Sequence, residues 1–300
     1  MVSKVETPPT AQDENVKNDA RNRYNFPMEP RDRWIRAAAG WETRADRFGR
    51  DSMPVSSWLV DAIAPQPGYT VVDLAAGLGD TGFLAAELVQ PGGTLITSDF
   101  APEMLAAAQR RAQAKGITNV RFKQIDLTKP IDIEAASIDG AVCRWGFMLL
   151  NDPESALRDA RRVLKPDATL ALAAWAGKDE NLWNAGPTGI LLDRGLLELD
   201  EGPGPFTWAD PNAIAEHLEA AGFIEPTVDA VEFTMHYDDV DDWWTAQTLM
   251  SPRTKEADAR LDFATRSDVL AELERVAEPF TQPDDSLRIP ARTWVAAATA

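Results

Sequence analysis

The stretch VVDLAAGLGDTG, residues 71–82, constrains this chain more than any other. An apolar run of strand length enters a turn of small residues and leaves it as a helix. Gly77 and Gly79 let the backbone pass close to a ligand, where a Cβ would collide. The free N–H groups of the following helix point at the same place. From here strands and helices alternate. Tyr69 to Leu74, Thr94 to Ser98, Val120 to Ile125, Ile138 to Cys143 and Thr169 to Trp175 read as strands. Gly82 to Val89, Pro102 to Lys115 and Pro153 to Leu164 read as helices. That order predicts an α/β fold with right-handed crossovers and a doubly wound, mostly parallel sheet. Several strands are apolar on both faces, as strands covered by helices on each side must be.

After Trp175 the alternation lapses. Asp210 and Pro211 open a helix to Ala221, Val228 to Tyr237 reads as a strand, and Thr293 to Ala298 as a last short one. Asp32 to Phe48 carries apolar residues at helical spacing and predicts one or two helices; Val55 to Ile63 predicts another. Residues 1–20 are polar and read as a disordered tail. The rest, 21–300, reads as a single domain. Its core is expected at about 55–178, 205–237 and 288–300, with helical lid insertions at about 21–54, 178–205 and 238–287.

Charge narrows the partners. The 300 residues carry 48 acidic against 30 basic side chains, a formal charge of −18. Such a surface repels phosphate backbones and anionic membranes, so neither nucleic acid nor membrane is an expected partner. Cys143 is the only cysteine, and His217 and His236 the only histidines. An internal disulfide, a Cys/His zinc cluster and a His-rich metal site are all excluded. No signal-like N-terminus and no apolar run of about 18 residues is present, so a cytoplasmic protein is expected.

The strand ends carry the candidate chemistry. Asp73 closes the first strand inside the glycine turn, where a carboxylate suits a cationic ligand and opposes a pyrophosphate; it could also merely cap the turn. Gly77-x-Gly79-x-x-Gly82 alone also matches the dinucleotide fingerprint. Asp99 closes the second strand and can accept both hydroxyls of a ribose, in nicotinamide and S-adenosylmethionine enzymes alike. Phe100 and Met104 follow, as an adenine sandwich or as core. Asp126 closes the third strand, where it can accept an adenine amino proton. Arg144, Trp145 and Phe147 follow the fourth, beside the reactive end of a ligand bound there.

DLAAGLG at 73–79, with Asp99, Asp126 and RRVLKPDATLALAAW at 161–175, resembles the class I S-adenosylmethionine-dependent methyltransferases. The nearest pattern is the ubiquinone/menaquinone-biosynthesis-like group. The resemblance covers residues 55–178 and, more loosely, 205–237. It implies the Rossmann-like methyltransferase fold: seven strands, the last antiparallel and inserted between the fifth and sixth. It implies S-adenosylmethionine as cofactor, with Asp73, Ala75, Gly77 and Gly79 at the methionine portion. Asp99 would hold the ribose, with Phe100 and Met104 near the adenine. Asp126 and Leu127 would meet the adenine edge, and Arg144 would lie near the amino-acid end. Ala75 departs from the glycine common in this family, which implies a slight shift of the ligand.

Six of the ten tryptophans, Trp34, Trp41, Trp183, Trp208, Trp243 and Trp244, fall outside the parallel-sheet strands and their linking helices, mainly in the expected lid segments. As a set they suggest an apolar or aromatic small-molecule acceptor; singly, each could simply hold the lid down. Trp34, Trp41, Trp145, Phe147 and Tyr237 are the candidate pocket residues. His236, at the end of the presumed sixth strand, is the candidate catalytic base, or else a solvated histidine. His217 reads as a surface residue. Methyl transfer by in-line displacement is the expected reaction. The alternatives are a protein that binds S-adenosylmethionine without transferring methyl, and a nicotinamide-dependent oxidoreductase.

Overall fold

A computed structural model describes residues 30–198 and 201–300, so the expected tail at 1–20 lies outside the described residues. Seven strands form one sheet: β1 (Thr70–Asp73), β2 (Thr94–Asp99), β3 (Val120–Gln124), β4 (Ile138–Arg144), β5 (Leu164–Trp175), β6 (Ile224–Tyr237) and β7 (Leu287–Thr299). The spatial order is β3-β2-β1-β4-β5-β7-β6, and β7 runs antiparallel between β5 and β6. This is the topology that the resemblance implied. Strand order reverses between β1 and β4, which opens a crevice at their carboxyl ends.

Burial explains which strands were easy to see. Val71, Val72, Leu95, Ala141 and Val142 are fully buried, so β1, β2 and β4 read as apolar runs. The β6–β7 hairpin is longer than expected, pairing Tyr237 with Leu287 at one end and Ile224 with Thr299 at the other. As the edge strand, β6 leaves Ile224, Glu225, Asp229 and Glu232 exposed, so its outer half lacks an apolar signature. In β7 the near-alternation of buried and less buried residues hides the first half of the strand.

Ten helices accompany the sheet among the described residues. The first, α1 (Pro30–Asp51), is one continuous helix. It is followed by α2 (Met53–Ile63), α3 (Asp80–Leu88), α4 (Pro102–Lys115), α5 (Pro153–Val163), α6 (Leu182–Asp193) and α7 (Pro211–Ala220). The insertion before β7 holds α8 (Val240–Met250), α9 (Pro252–Asp258) and α10 (Phe263–Ala277). Local signals set the boundaries. Pro102 and Pro153 start their helices, Asp152 accepts the Ser155 N–H as a cap, and Gly116 at φ +71° ends α4. No helix among the described residues is long and apolar enough to cross a membrane.

Two of the three expected lid segments do not act as lids. Helix α6 packs on β7 and α10, and α8 packs on α1, away from the β1–β4 crevice. Their tryptophans, Trp183, Trp243 and Trp244, are buried core residues, as is Trp208 nearby in sequence. The Trp243 indole N–H donates to the Trp183 carbonyl at 2.7 Å and that of Trp244 to Asp258 at 3.0 Å. His217 is half-buried, its ring stacked on Trp208 at 5.0 Å, so it is not a plain surface residue.

Among the described residues only α1 roofs the crevice. Charged pairs hold it on both flanks. Arg110 makes a bidentate bond to Glu42 at 2.9 and 2.6 Å. Opposite, Arg44 and Arg47 converge on Asp242, at 2.6 and 2.7 Å. Replacing Trp243 by alanine empties the seam between α6 and α8. A loss of about 3–5 kcal/mol is expected for a buried tryptophan. Urea unfolding measures it, and a loss below about 1 kcal/mol would remove Trp243 from the core.

Candidate active site

The carboxyl ends of β1, β2 and β4 and the underside of α1 enclose a cavity of about 450 Å³. That is within the range of roughly 300–1,000 Å³ usual for small-molecule sites. The glycine turn forms its floor. The Ala76 N–H donates to the Ser98 carbonyl at 2.8 Å and the Gly79 N–H to Ala76 at 2.9 Å, folding the chain back over β2. This turn takes Ala75, Gly77 and Gly79 through positive φ, at 51°, 54° and 85°. Alanine is thus tolerated at 75 in a left-handed conformation that disfavours it. Its methyl group is admitted because residue 146 is glycine: a Cβ there would stand 2.8 Å from that of Ala75.

Of the ten residues expected around the cofactor, Asp73, Ala75, Gly77, Asp99, Phe100, Met104, Asp126, Leu127 and Arg144 all line this cavity. Gly79 does not. It caps α3, and a Cβ there would lie 2.5 Å from the Phe83 ring, so its role is to shape the turn.

Asp73 is buried. Its Oδ2 accepts the Gly82 N–H at 2.8 Å, while its Oδ1 is enclosed without a hydrogen-bond partner. Burial pushes this carboxyl up to about 7, against the pull of the Gly82 amide and the Arg144 charge. An unsatisfied carboxylate oxygen in a cavity wall suits an ammonium group. Asp99 is also buried; its Oδ2 accepts the Gly77 N–H and its Oδ1 the Ala101 N–H, each at 2.9 Å. Burial raises its carboxyl above the ordinary range, and those amides oppose the rise. The Phe100 amide also bonds this carboxylate, which still has acceptor capacity for a ribose hydroxyl. Asp126 accepts the backbone and hydroxyl donors of Thr128 at 3.1 and 2.7 Å, which fixes its orientation at the far end.

These acids decide between the two cofactor readings. A dinucleotide's pyrophosphate would sit on the turn and the N-terminus of α3. Here that place holds Asp73 and, as the first residue of α3, Asp80. Two carboxylates repel a pyrophosphate and accommodate a cationic amino-acid tail.

The aromatic residues divide. Trp34, Trp41 and Trp145 line the cavity. Trp34 packs with Met104, Leu78 and Phe100, toward the expected adenine end. Trp145 adopts φ +62° and stacks on Trp175 at 4.1 Å, with its indole N–H donating to Thr293 at 2.9 Å. Phe147 is buried in the core beneath the wall and does not reach the cavity. Its neighbours Leu149 and Leu150 do.

His236 and Tyr237 are not part of this site. They border a separate hollow of about 10 Å³ with Arg44, Arg47 and Asp51, room for roughly one water. His236 is exposed; its Nδ1 pairs with Asp51 Oδ1 at 2.9 Å and its backbone N–H donates to Oδ2 at 2.9 Å. Tyr237 is buried, and its hydroxyl lacks a hydrogen-bond partner. The physical reason is the insertion of β7. It places β6 at the sheet edge, three strands from β4, while the crevice opens over β1 and β4.

Several wall residues were not foreseen, chiefly Phe48, Asp80, Thr81, Leu149, Leu150 and Asn151. A signal existed for Phe48. Trp34, Trp41 and Phe48 recur every seven residues, which puts them on one face of a helix.

Comparison with known proteins agrees with this geometry. Residues 65–185 match the family model described as a methyltransferase domain. The nocamycin O-methyltransferase of Saccharothrix syringae is 30% identical over 57% of this chain and 65% of its own length. The demethylmenaquinone methyltransferase of Thermus thermophilus is 34% identical over 38% of this chain and 50% of its own length. The chain therefore spans half to just under two thirds of these relatives. A structure from the complex of the Haloferax volcanii Trm112 methyltransferase activator with a methyltransferase shares the fold. Its TM-score is 0.55 at 18% identity, covering 91% of this chain and 97% of that one.

The Asp73 carboxyl sets a pH dependence. Its contribution to the stability of the free protein is full below the ordinary value of 3.8 and is lost as pH rises to about 7. An ammonium-bearing ligand takes the ionised form. Its affinity should fall about tenfold per pH unit below neutrality, with one proton released from Asp73 on binding. Calorimetry with S-adenosylhomocysteine in buffers of different ionisation enthalpy reads that proton. Asp73→Asn should weaken binding and flatten its pH profile; an unchanged profile would exclude Asp73 from ammonium recognition.

Proposed function

We propose that this chain, which carries a methyltransferase domain of the S-adenosylmethionine-dependent class at residues 65–185, methylates a small apolar or aromatic molecule. The observation that carries this reading is the unsatisfied Oδ1 of buried Asp73 beside a glycine turn. When bound, S-adenosylmethionine supplies a methyl group on a positively charged sulfur, a good leaving group. The protein's own tasks are then to bind, align and exclude water.

The residues divide these tasks. Asp73 faces the ammonium, Asp99 the ribose, and Phe100, Met104, Asp126 and Leu127 the adenine. Trp41, Phe48, Trp145, Leu149 and Leu150 wall the remaining space with apolar surface. That wall supports an apolar or aromatic acceptor. The formal charge of −18 argues against a nucleic-acid substrate.

No histidine, lysine, tyrosine or cysteine is among the described residues lining the cavity. Alignment rather than proton abstraction is therefore the main contribution of the described wall. An assay of quinols, phenols and amines with S-adenosylmethionine tests the reading through methylated product. Leu150→Asp should raise the KM of an apolar acceptor at least about tenfold, the effect of a charge in an apolar wall. It should leave S-adenosylhomocysteine affinity within about twofold, since Leu150 belongs to the proposed acceptor wall and not to the residues assigned to the cofactor. Equal losses in both would remove Leu150 from the acceptor wall.

A further inference from the structure

The cavity contains one cation among its described lining residues, Arg144, in a wall that is otherwise aromatic, aliphatic and acidic. Its guanidinium is held from behind. Nη1 donates to the hydroxyls of Ser52 at 2.6 Å and Ser56 at 2.9 Å, and Ser56 Oγ lies 3.0 Å from Thr81 Oγ1. The guanidinium carbon lies 4.8 Å from the Trp145 ring centre and 5.8 Å from that of Phe48. A guanidinium has five N–H donors. Nε and Nη2 have no hydrogen-bonding partner among the described residues, and the nearest carboxylate oxygen to Nη2, Asp80 Oδ2, is 3.9 Å away. Asp80 is in turn bound by Arg111 through its other oxygen. A fixed, desolvated cation with free donors is a site for an anion.

The resemblance would give this charge to the cofactor's amino-acid end. Asp73 and Asp80 do stand near it, but its ring contacts reach a different wall. Its aromatic partners, Phe48 and Trp145, belong to the acceptor wall. The same wall has no proton acceptor apart from Asp80, which is already tied to Arg111.

Resting on the methyltransferase reading, we propose that Arg144 recognises the ionised oxygen of an acidic acceptor, a phenol or an enol, and holds it as the anion. The acceptor oxygen then forms its bond to the methyl carbon as the carbon–sulfur bond breaks. The electron pair of that bond stays on sulfur. An anion and a sulfonium become two neutral molecules, and no proton has to move in the transfer step. Arg144 thus determines specificity and replaces a general base.

The test uses 4-nitrophenol, whose absorbance reports its ionisation, and 4-nitroanisole, its neutral methylated counterpart. The full-length protein is titrated with each, with and without S-adenosylhomocysteine. Wild type should bind the phenolate at least about tenfold more tightly than the anisole, and the bound phenol should ionise at least about one pH unit lower than the free one. This comparison needs no variant. Arg144→Gln should abolish the preference and Arg144→Lys restore part of it, both read in the titrations without S-adenosylhomocysteine. Circular dichroism checks that they fold. Equal binding of phenolate and anisole by wild type would overturn the proposal. So would an Arg144→Gln protein that loses S-adenosylhomocysteine but keeps the phenolate preference. If wild type prefers the phenolate yet binds no S-adenosylhomocysteine, the anion site stands and the methyltransferase reading falls.

Discussion

The site is organised around a carboxylate held out of water with only half its hydrogen-bonding capacity met. Asp73 ends β1, and the Gly82 amide of the next helix fixes one of its oxygens. The other is sealed without a partner. Leaving such a group unsatisfied costs about 1–3 kcal/mol or more, a cost that an ammonium bound as proposed would remove. Gly82 itself is required: a Cβ there would stand 2.7 Å from the Asp73 carboxylate. One contact therefore joins the strand, the turn and the helix start.

The rest of the cavity follows from where that carboxylate can be used. The turn carries Ala75, Gly77 and Gly79 through left-handed conformations, and Asp99 braces it by accepting the Gly77 amide. Gly146 yields the space that the Ala75 methyl group takes. The departure at residue 75 is thus compensated from the end of β4. Across the cavity the strongly acidic chain places a single described cation, Arg144, against aromatic faces. The roof helix is held by arginines on both flanks: Arg110 from the core reaches Glu42, while Arg44 and Arg47 of the helix reach Asp242. Each sign of charge is used where it orders an element or faces the cavity.

The parallel half of the fold and the glycine-turn end of the cavity were legible because one constraint governs both. Strands buried on two faces have to be apolar, and the residues that end them have to be small or acidic to meet a ligand. Asp73, Asp99 and Asp126 announce themselves by interrupting apolar runs. The antiparallel edge was less legible because β6 meets solvent along much of its length. The misplaced base has the same origin. His236 does end a strand, but β7 intervenes and carries that end away from the crevice, a rearrangement that no local pattern records. Phe147 illustrates a finer limit: the short helical turn 147–149 directs Phe147 inward and leaves Leu149 on the wall.

Tryptophan count was a poor guide to the acceptor site for a physical reason. A tryptophan contributes a large apolar surface and a single N–H donor, so it stabilises any seam where that donor finds a carbonyl. The seam between α6 and α8 uses Trp243 in this way, with Trp183 supplying the carbonyl, and neither ring meets the cavity. The wall tryptophans differ in what fixes them. Trp41 is anchored by its N–H to the Met250 carbonyl at 3.1 Å, and Trp145 by Thr293 and the Trp175 face. In both, the anchor lies in an element whose other role is structural, and the opposite side of the ring is left to the cavity. The buried tryptophans farther out therefore contribute indirectly, by fixing the helices and strands on which the wall is mounted.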